Sequence, residues 1–476
     1  MDVTREDWIE ATRRLAAGQA RLVDLWGDDG AACLALADPD LRVLRLACPD
    51  GAFPSVGVEH PGAIRLERAV ADLHGLTPQG AQDTRPWLDH GRFDFVAPLG
   101  RAAPRAVPQP PYAFRTAEGP ALNQIPVGPV HAGIIEPGHF RFHASGETVV
   151  RLEERLGYLH KGVEGLARGL SVEAGATLVG RVSGDSTVAY AYAYARAVEA
   201  AMGGGAPPRA VWLRALMAEW ERIANHLGDF GGICNDAAFA LMLAHTSAWR
   251  ERTLRAADAA FGHRLMMDCV VPGGAVDLKP EGEHALRAHI AALRPAFKRL
   301  IELYHNTASL LDRTVGTGVV NRDLVELWGV GGVVGRASGR DFDARRDHAY
   351  APYDELIFEV PKRVAGDVDA RVWLRIREIE QSLLLVEQIL DGLPEGDVRA
   401  EIAPHAGEGF AVVEGFRGDV FVYVRLAADG RLACLRPRDP SWLQWPLLEA
   451  AIEGNIVADF PLCNKSFNCS YSGVDL

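Results

Sequence analysis

The stretch RVSGDSTVAYAYAYARAVE, residues 181–199, places a short polar turn directly before a long helical pattern rich in alanine and tyrosine. Ser183 and Ser186 stand one helical turn apart, so both side chains could project from one face. Cysteines at that spacing clamp a soft metal between two thiolates, whereas serine hydroxyls are hard, weak ligands. From the residues alone, SGDS is predicted to be a loop and helix N-cap, with a serine or Asp185 as the capping residue.

Further helical patterns surround this stretch and dominate residues 145–330. The predicted helical segments are ETVVRLEERLGYLHKGVEGLARGL (147–170), STVAYAYAYARAVEAAMGGG (186–205), RAVWLRALMAEWERIANHLGDFGG (209–232), HALRAHIAALRPAFKRLIELYHNTASLLDRT (284–314) and DARVWLRIREIEQSLLLVEQILDGL (369–393). Residues 410–437 alternate like strands, with ADGR as a turn. These patterns predict an α+β fold in which a mainly helical bundle core is followed by a small β-rich C-terminal part.

The first 100 residues predict a separate, small α/β domain. The apolar run LRVLRLAC is followed by turn-rich sequence and by IRLERAVADLHGL, which has helical spacing from Ile64 to Leu73. Four prolines in RAAPRAVPQPPYA, residues 101–113, are typical of an extended linker. We therefore expect three parts, residues 1–100, a linker over 101–120, and a large domain over 121–476.

Composition excludes several classes of partner. The net charge of −13 argues against nucleic acid and offers no polybasic membrane anchor. Seven cysteines are scattered without a CxxC pair, which indicates a reducing compartment and no self-contained zinc or iron–sulfur site. The acidic N-terminus does not resemble a secretory signal, and no apolar run would span a bilayer. We expect a cytoplasmic chain whose membrane association depends on partner subunits.

Two stretches contain candidates for acid–base chemistry. IPVGPVHAGIIEPGHFRF holds His131, Glu136 and His139 in a Gly/Pro-rich loop, where such side chains act either as a proton relay or as structural hydrogen-bonding groups. LGYLHKGVEGLAR places His160 and Glu164 at i and i+4 on a predicted helix, where a solvated ion-pair face is the alternative. Glu136, His139, His160 and Glu164 are the candidates for proton transfer.

A third stretch, GRASGRDFDARRDHAYAPYDEL (335–356), concentrates charge. Eight charged or titratable residues lie between Arg336 and His348. Because so many charges would be costly to bury unpaired, they predict an internal ion-pair network or an interface with another subunit. Cys463 and Cys469 near the C-terminus have no histidine close by and are interpreted as structural.

Taken together, these blocks resemble one family over nearly the whole chain. IPVGPVHAGIIEPGHFRF, LGYLHKGVEGLA, ERIANHLGD, ASGRDFDARRDHAYAPYDEL and EGFRGDVFVYVRLAADGRLACLRPRDPSW are similar, in family order, to the large subunits of nickel–iron hydrogenases of the hydrogenase-4 and formate-hydrogenlyase type. The 49-kDa subunit of complex I belongs to the same family. The N-terminal FPSVGVEHPGAIRLERAVADLHGLTPQGAQDTRPW resembles the complex I 30-kDa subunit, a fusion that is characteristic of the hydrogenase-4 branch.

The resemblance locates the metal-ligand positions of the family in this chain. Nickel-containing members read RVCGIC where this chain has Ser183 and Ser186, and a C-terminal SLDPCxxC block places its two ligands at Ser470 and Gly473. Cys469 falls beside them, on the proline. All four thiolates are thus replaced, and the tail that such hydrogenases lose during nickel insertion is not expected after residue 476. Nickel and hydrogenase activity are therefore not expected, and neither is any other cofactor bound by this chain itself.

The resemblance also locates the quinone-headgroup pair of complex I, at Gly184 and Pro137, where both polar partners are gone. A quinone would need a rebuilt pocket. The tyrosines of the AYAYAYA helix either supply replacement groups for that pocket or are simply packed in the core. Arg181 persists, and in relatives that arginine lies near the last iron–sulfur cluster of the small subunit. Arg181 and His131 are the candidate cofactor-binding residues.

The function implied by the resemblance is that of a large subunit in a membrane-associated, complex I-like oxidoreductase complex. Electrons from an iron–sulfur small subunit would be coupled to ion translocation by antiporter-like membrane subunits, with NAD- or quinone-linked chemistry elsewhere in the hetero-oligomer. The chain would lie peripherally on the inner face of the cell membrane. Two alternatives stay open, a quinone-site subunit with a rebuilt pocket and a non-catalytic structural bridge.

Overall fold

The computed structural model describes residues 1–117, 119, 121–131, 135–403 and 405–476. The N-terminal region is α/β, as the sequence predicts. Its elements are α1 (Arg5–Ala16), β1 (Arg21–Asp28), β2 (Ala31–Asp38), β3 (Asp40–Ala47), β4 (Ala52–Pro54), α2 (Ile64–His74) and β5 (Thr77–Gln79). Strands β1, β2 and β3 form an antiparallel sheet, and β4 pairs with β5 in parallel. Helix α2 buries Leu66, Val70 and Leu73 and ends at Gly75, which has a φ of 68°.

A second sheet follows the proline-rich linker and corrects one prediction. The elements here are β6 (Phe95–Val96), β7 (Ala103–Pro104), β8 (Leu122–Val127), β9 (His139–Ser145) and β10 (Thr148–Arg155). Strand β9 lies between β8 and β10 in an antiparallel sheet. The predicted helix over 147–170 was wrong, because its first third is β10, which pairs with β9 along its length. Only α3 (Val163–Ala167) is helical in that segment.

The helical core is built around one long central helix. Its elements are α4 (Val172–Val179), α5 (Thr187–Ala201), α6 (Pro208–Asp236), α7 (Ala240–Phe261), β11 (Val270–Val271), β12 (Gly274–Ala275), α8 (Gly282–His305), α9 (Ala308–Thr314), α10 (Arg322–Trp328), α11 (Gly332–Ala337), α12 (Ala344–Asp347) and α13 (Val368–Gly392). Helix α6 packs against both α7 and α13, and α8 packs against α7. Four of the five predicted helical segments are confirmed, although the fourth is split by Asn306 and Thr307 into α8 and α9.

The C-terminal part forms a third sheet and three helices. Its elements are β13 (Gly407–Gly415), β14 (Gly418–Leu426), β15 (Leu432–Arg438), α14 (Ser441–Ile452), α15 (Phe460–Phe467) and α16 (Ser472–Asp475). The predicted strands and the turn before Leu432 are confirmed. Helix α5 packs on β13 and β14, while Trp26 of β1 packs against Phe421 and Tyr423 of β14. The fold is α+β, as predicted.

Within the described residues, no helix combines the length and the apolar character that crossing a bilayer requires.

Candidate functional site

The four positions that the resemblance assigns to metal ligands converge in the fold. Ser183 lies in the turn before α5, and Ser470 lies between α15 and α16. Their Oγ atoms are 3.0 Å apart, although the residues are 287 positions apart in the chain. Ser470 Oγ also accepts a hydrogen bond from the backbone N–H of Gly473 at 2.9 Å. All three serines of the set are buried, so two distant sequence motifs form one cluster.

An arginine from the β13–β14 turn fills the space beside these serines. Arg417 donates through Nη2 to Asp185 Oδ2 at 2.6 Å and through Nη1 to Asp185 Oδ1 at 2.8 Å. The same Nη1 donates to Ser186 Oγ at 2.9 Å, and Nε donates to the Asn468 carbonyl at 2.6 Å. Burial alone would raise the pKa of Asp185, but the charge and hydrogen bonds of Arg417 lower it to about 2. At neutral pH the cluster therefore holds a bidentate ion pair.

The N-cap residue of α5 is Ser186, as predicted, but the expected capping bond from a serine or Asp185 side chain is not made. Neither side chain caps the helix, because the hydroxyls of Ser183 and Ser186 donate to Asp185 instead. The capping group is Glu221 of α6, whose carboxylate accepts from the N–H groups of Val188 at 2.7 Å and Ala189 at 3.1 Å. Burial of this carboxyl raises its pKa to about 8.

The residues of the cluster do not fit a thiolate-bound nickel–iron pair. Hydroxyl groups stand where thiolates would be needed, and the cation of Arg417 is bonded to one of them. A side chain at position 473 would place its Cβ only 2.7 Å from Asp439 Cγ, so a cysteine has no room there. Asp439 is itself held by Tyr190 Oη at 2.7 Å. No group of three or more His, Cys, Asp or Glu residues suited to a metal ion occurs in the part of the chain that the structure describes.

The two nearby cysteines do not repair this donor set. Cys463 and Cys469 are both buried. Burial raises the pKa of Cys463 to about 11 and that of Cys469 well above the usual value of a thiol. Neither thiol stands at one of the four ligand positions, and burial favours the neutral thiol over the thiolate form that binds metals.

The loop candidates separate in the structure. Glu136 Oε2 accepts from the N–H of Ser472 at 3.3 Å. His139 is buried on β9, donates to the Gly128 carbonyl and contacts the ring of Phe114, and burial lowers its pKa. His131 donates through Nε2 to the Gly138 carbonyl at 2.8 Å. His131 and His139 thus make structural bonds to backbone, and Glu136 alone of the three contacts α16.

His160 and Glu164 do not share a helix face, because His160 precedes α3 in a loop. His160 Nδ1 donates to the Asp475 carbonyl at 2.7 Å. Glu164 accepts from Arg436 Nη1 at 2.7 Å, with His74 Nε2 at 4.0 Å. Burial alone would raise the pKa of Glu164, but the charge of Arg436 lowers it to about 2, so Glu164 is a fixed anion.

Asp475 of α16 connects two of the candidates and was not singled out from the sequence. Its carboxylate accepts from the N–H groups of Gly157 and Leu159, both at 2.8 Å. Burial, with a further contribution from the charge of Glu136, raises the pKa of Asp475 to about 7. Glu136 and His160 thus bond to α16, which itself carries Asp475. This group of three residues around α16 contains a carboxyl that titrates near neutral pH.

Arg181 lies at the surface. Its guanidinium makes a bidentate pair with Asp268, with distances of 3.0 and 2.6 Å. Asp268 leaves the side chain 41% exposed, so a cation is presented to solvent only two residues before Ser183.

The charged stretch 336–348 forms an internal ion-pair network, one of its two predicted alternatives. Arg336 is fully buried and bonds Glu378 at 2.6 Å and Glu414 at 2.9 Å. Arg345 bonds Asp343 at 2.7 Å and Glu219 at 2.9 Å. The network joins α6, α11, α12, α13 and β13, so the buried charges of this stretch order the core, while Asp341, Arg346 and Asp347 are exposed.

The tyrosines of α5 are core residues. Tyr190, Tyr192 and Tyr194 are buried, and their hydroxyls donate to Asp439, to the Ala351 carbonyl and to the Val172 carbonyl. Of the two interpretations for this helix, the structure supports the packed core.

Comparison with known proteins places this fold and cluster in a family. Residues 236–406 match the model of the respiratory-chain NADH dehydrogenase 49-kDa subunit. Formate hydrogenlyase subunit 5 of Escherichia coli (strain K12) is 31% identical over 437 residues, 89% of this chain and 77% of that protein. The carbon monoxide-induced hydrogenase of Rhodospirillum rubrum is 32% identical over 348 residues, 72% of this chain and 96% of that protein.

A solved structure agrees with these relatives. A chain of the membrane-bound sulfane sulfur reductase, an archaeal respiratory membrane complex, superposes with a TM-score of 0.71 and 27% identity, over 75% of this chain and 99% of that one. This chain belongs to the family of the complex I 49-kDa subunit and of the hydrogenase-4 and formate-hydrogenlyase large subunits. Its homologues are subunits of membrane-bound, complex I-like hydrogenase and oxidoreductase complexes.

Proposed function

We propose that this chain is the large subunit of a complex I-like, hydrogenase-4-like oxidoreductase complex in which the nickel–iron site has been lost. The observation that carries the proposal is the Arg417–Asp185 ion pair, bonded to Ser186 where a metal ligand would stand. The guanidinium supplies fixed positive charge beside the former ligand positions. Electron transfer from an iron–sulfur partner would then be coupled to ion translocation without hydrogen chemistry in this chain.

The partners follow from the same proposal. The exposed Arg181, paired with Asp268, would lie against an iron–sulfur small subunit, where a cation favours the reduced cluster. Antiporter-like membrane subunits would hold the chain at the inner face of the cell membrane. Residues 1–100 would act as the 30-kDa-like domain, residues 101–120 as the linker and residues 121–476 as the 49-kDa-like domain.

Proton transfer is proposed for the group around α16. Asp475 titrates near neutral pH, and Glu136 and His160 both bond to residues of that helix. Glu164 and His139 are less suited, since the first is held as an anion by Arg436 and the second lies on β9 and bonds Gly128 instead of a residue of α16. An Asp475→Asn variant should move the pH profile of electron transfer in the complex, and an unchanged profile would remove Asp475 from this role.

A second candidate, a structural bridge without redox chemistry, is favoured by the burial of Ser183, Ser186 and Ser470. The rebuilt quinone pocket has one supporting feature. A side chain at Gly184 would meet only Met267 Cε, at 3.6 Å, so this former headgroup position borders open space.

The test is cofactor analysis of the purified complex that contains this chain. Nickel is measured by mass spectrometry, quinone by extraction, and hydrogen oxidation by dye reduction. We expect no nickel and no hydrogen-dependent activity. Stoichiometric nickel with hydrogen uptake would overturn the proposal. Bound quinone would favour the rebuilt pocket, whereas a complex that still transfers electrons when Arg417 is replaced by methionine would favour the bridge.

A further inference from the structure

A cavity of about 250 Å³ lies between the N-terminal region and the segment that carries α3, and none of the four former metal-ligand positions lines it. Its wall is mainly apolar. The apolar side chains include Leu73, Leu88, Phe93, Phe95, Val96 and Leu99. Three of them are large apolar residues left exposed, with Phe93 and Phe95 each 45% and Val96 36% accessible. Their exposure places them at the open side of the cavity.

Most polar groups in the wall already have partners. Asp72 Oδ2 accepts from three successive backbone N–H groups, those of residues 87–89. Glu164 is paired with Arg436. Lys161 Nζ donates to the Val182 carbonyl at 2.9 Å. Few polar groups of the wall are therefore left without a hydrogen-bond partner.

His160 contributes a ring nitrogen to this wall. Its Nδ1 is 2.7 Å from the Asp475 carbonyl, an acceptor, so Nδ1 carries the proton. In the neutral ring Nε2 then keeps its lone pair, and it makes no hydrogen bond to the described residues. The cavity thus combines an apolar wall with one directional hydrogen-bond acceptor, the arrangement that orients small ligands in proteins.

The size of the cavity limits the ligand. An apolar cavity of about 150 Å³ accommodates one benzene ring, so this one would admit a single substituted ring. The mainly apolar wall favours an uncharged ligand, because a charged one would lose its hydration there, and Lys161, the cation of the wall, is already bonded to the Val182 carbonyl.

We propose that this cavity is a binding site for an uncharged, ring-sized apolar molecule with one hydroxyl donor, a phenol-like ligand whose hydroxyl donates to His160 Nε2. This site does not include the former metal-ligand positions. It shares His160 with the proton-transfer group around α16, but the binding proposal does not depend on proton transfer by that group. A small molecule would then bind at the junction between the N-terminal region and the segment that carries α3.

The test uses the full-length chain and two probes, 4-fluorophenol and 4-fluoroanisole, followed by ¹⁹F NMR titration. The two probes have similar shape, and only the phenol donates a hydrogen bond. We expect saturable binding of both, with the phenol about tenfold tighter, since one hydrogen bond to a well-placed acceptor is worth roughly that ratio. Equal affinities, or no saturable binding, would overturn the proposal.

Two variants at position 160 separate the hydrogen bond from folding. His160→Asn keeps a donor near Nδ1 for the Asp475 carbonyl but removes the Nε2 acceptor, so it should abolish the preference for the phenol. His160→Gln keeps a polar group near Nε2 and should retain part of that preference. A phenol preference that survives in His160→Asn would overturn the assignment of His160.

A variant at the open side tests the location. Val96→Trp adds bulk at an exposed position, so the fold should tolerate it, and it should weaken both probes by at least tenfold. Undiminished binding of the probes to the folded Val96→Trp protein would show that they bind elsewhere and would overturn the site.

Discussion

The side chain of Asp439 occupies the space that a side chain at position 473 would need, beside the serine cluster. A Cβ at position 473 would lie 2.7 Å from Asp439 Cγ and 2.7 Å from its Oδ2. We predict that Gly473→Ala lowers the free energy of unfolding by about 1–3 kcal/mol, as overpacking of a buried site does. Urea denaturation measures this, with Ser470→Ala as a control that removes an atom instead of adding one.

A double-mutant cycle identifies the cause of that destabilisation. In an Asp439→Ala background only the contact with Cβ at 2.9 Å remains, so Gly473→Ala should cost less there than in the natural chain. If Gly473→Ala leaves the denaturation midpoint unchanged, the position has room for a thiolate, and the steric argument against a metal site fails.

At the scale of residues, the sequence predicted which positions form the serine cluster but not which side chains they bond to. The resemblance located Ser183, Ser186, Ser470 and Gly473, and the fold does bring them together. It did not reveal Arg417, which lies 232 positions from Asp185. An arginine in a block of familiar sequence carries no signal of which carboxylate it pairs with, because that pairing is made by tertiary contacts alone.

Glu221 controls the start of α5 and should make stability depend on pH. Its pKa is about 8 in the folded chain against an ordinary value of 4.5. Because the folded state binds the proton more tightly, this contribution to stability is complete below about pH 4.5 and is lost as pH rises to about 8. The loss reaches about 1.4 kcal/mol per pH unit for one proton.

Glu221→Gln tests this prediction through urea denaturation at several pH values. The amide keeps one acceptor for the two N–H groups, so the variant should be less stable by about 1 kcal/mol at pH 4.5, the usual cost of a lost cap. It should become the more stable protein by pH 8. Glu173→Gln, which removes an exposed glutamate from α4, is the matched control. Parallel pH profiles for Glu221→Gln and the natural chain would contradict the assignment.

The buried ion pairs of the network should matter far more than the exposed ones beside them. Arg345 and Arg346 are neighbours on α12, but Arg345 is buried with Glu219 and Asp343, whereas Arg346 is 42% exposed with Asp341 and Asp347. Arg345→Met removes the closest cation from two buried carboxylates, which keep only the longer contacts of Glu219 with Arg222 at 3.4 Å and of Asp343 with Arg336 at 3.3 Å, and should cost about 3–5 kcal/mol. Arg346→Met should cost at most about 1 kcal/mol.

Chemical denaturation of the two variants gives the comparison directly, since the substitution is identical and the positions are adjacent. Equal losses of stability would mean that the network contributes through packing of the aliphatic side chains, not through its charges.

At the scale of elements, the sequence predicted the helices that have a long apolar periodicity. The prediction was wrong in a segment whose apolar residues fit both the helical period and the strand period. In residues 147–170, Val149, Leu152 and Leu159 satisfy helical spacing. Yet Val149 is buried and Val150 is 45% exposed, as expected for a strand. Pairing of β10 with β9 decides the outcome, and that contact is invisible in a local window. The long helices α5, α6 and α13 had no such competing partner.

At the scale of the whole molecule, the N-terminal region shares its interior with the C-terminal sheet. Trp26 packs against Phe421 and Tyr423. Arg436 of β15 bonds Asp24 of β1 at 2.8 Å and Glu164 of α3 at 2.7 Å. The sequence predicted a boundary near residue 100, but composition carries no information on how much surface two regions bury against each other.

This shared interior predicts that the regions stabilise each other. A fragment of residues 121–476 should unfold at a lower temperature than the full chain, because Phe421 and Tyr423 would be exposed and Arg436 would lose Asp24. Adding a fragment of residues 1–120 should raise the unfolding temperature of the fragment back to that of the full chain. Calorimetry of the full chain should show one unfolding transition. In Arg436→Met the single transition should move down without splitting. Two independent transitions in the natural chain, with a fragment 121–476 as stable as the whole, would contradict the prediction and would mean that the two regions fold as separate domains.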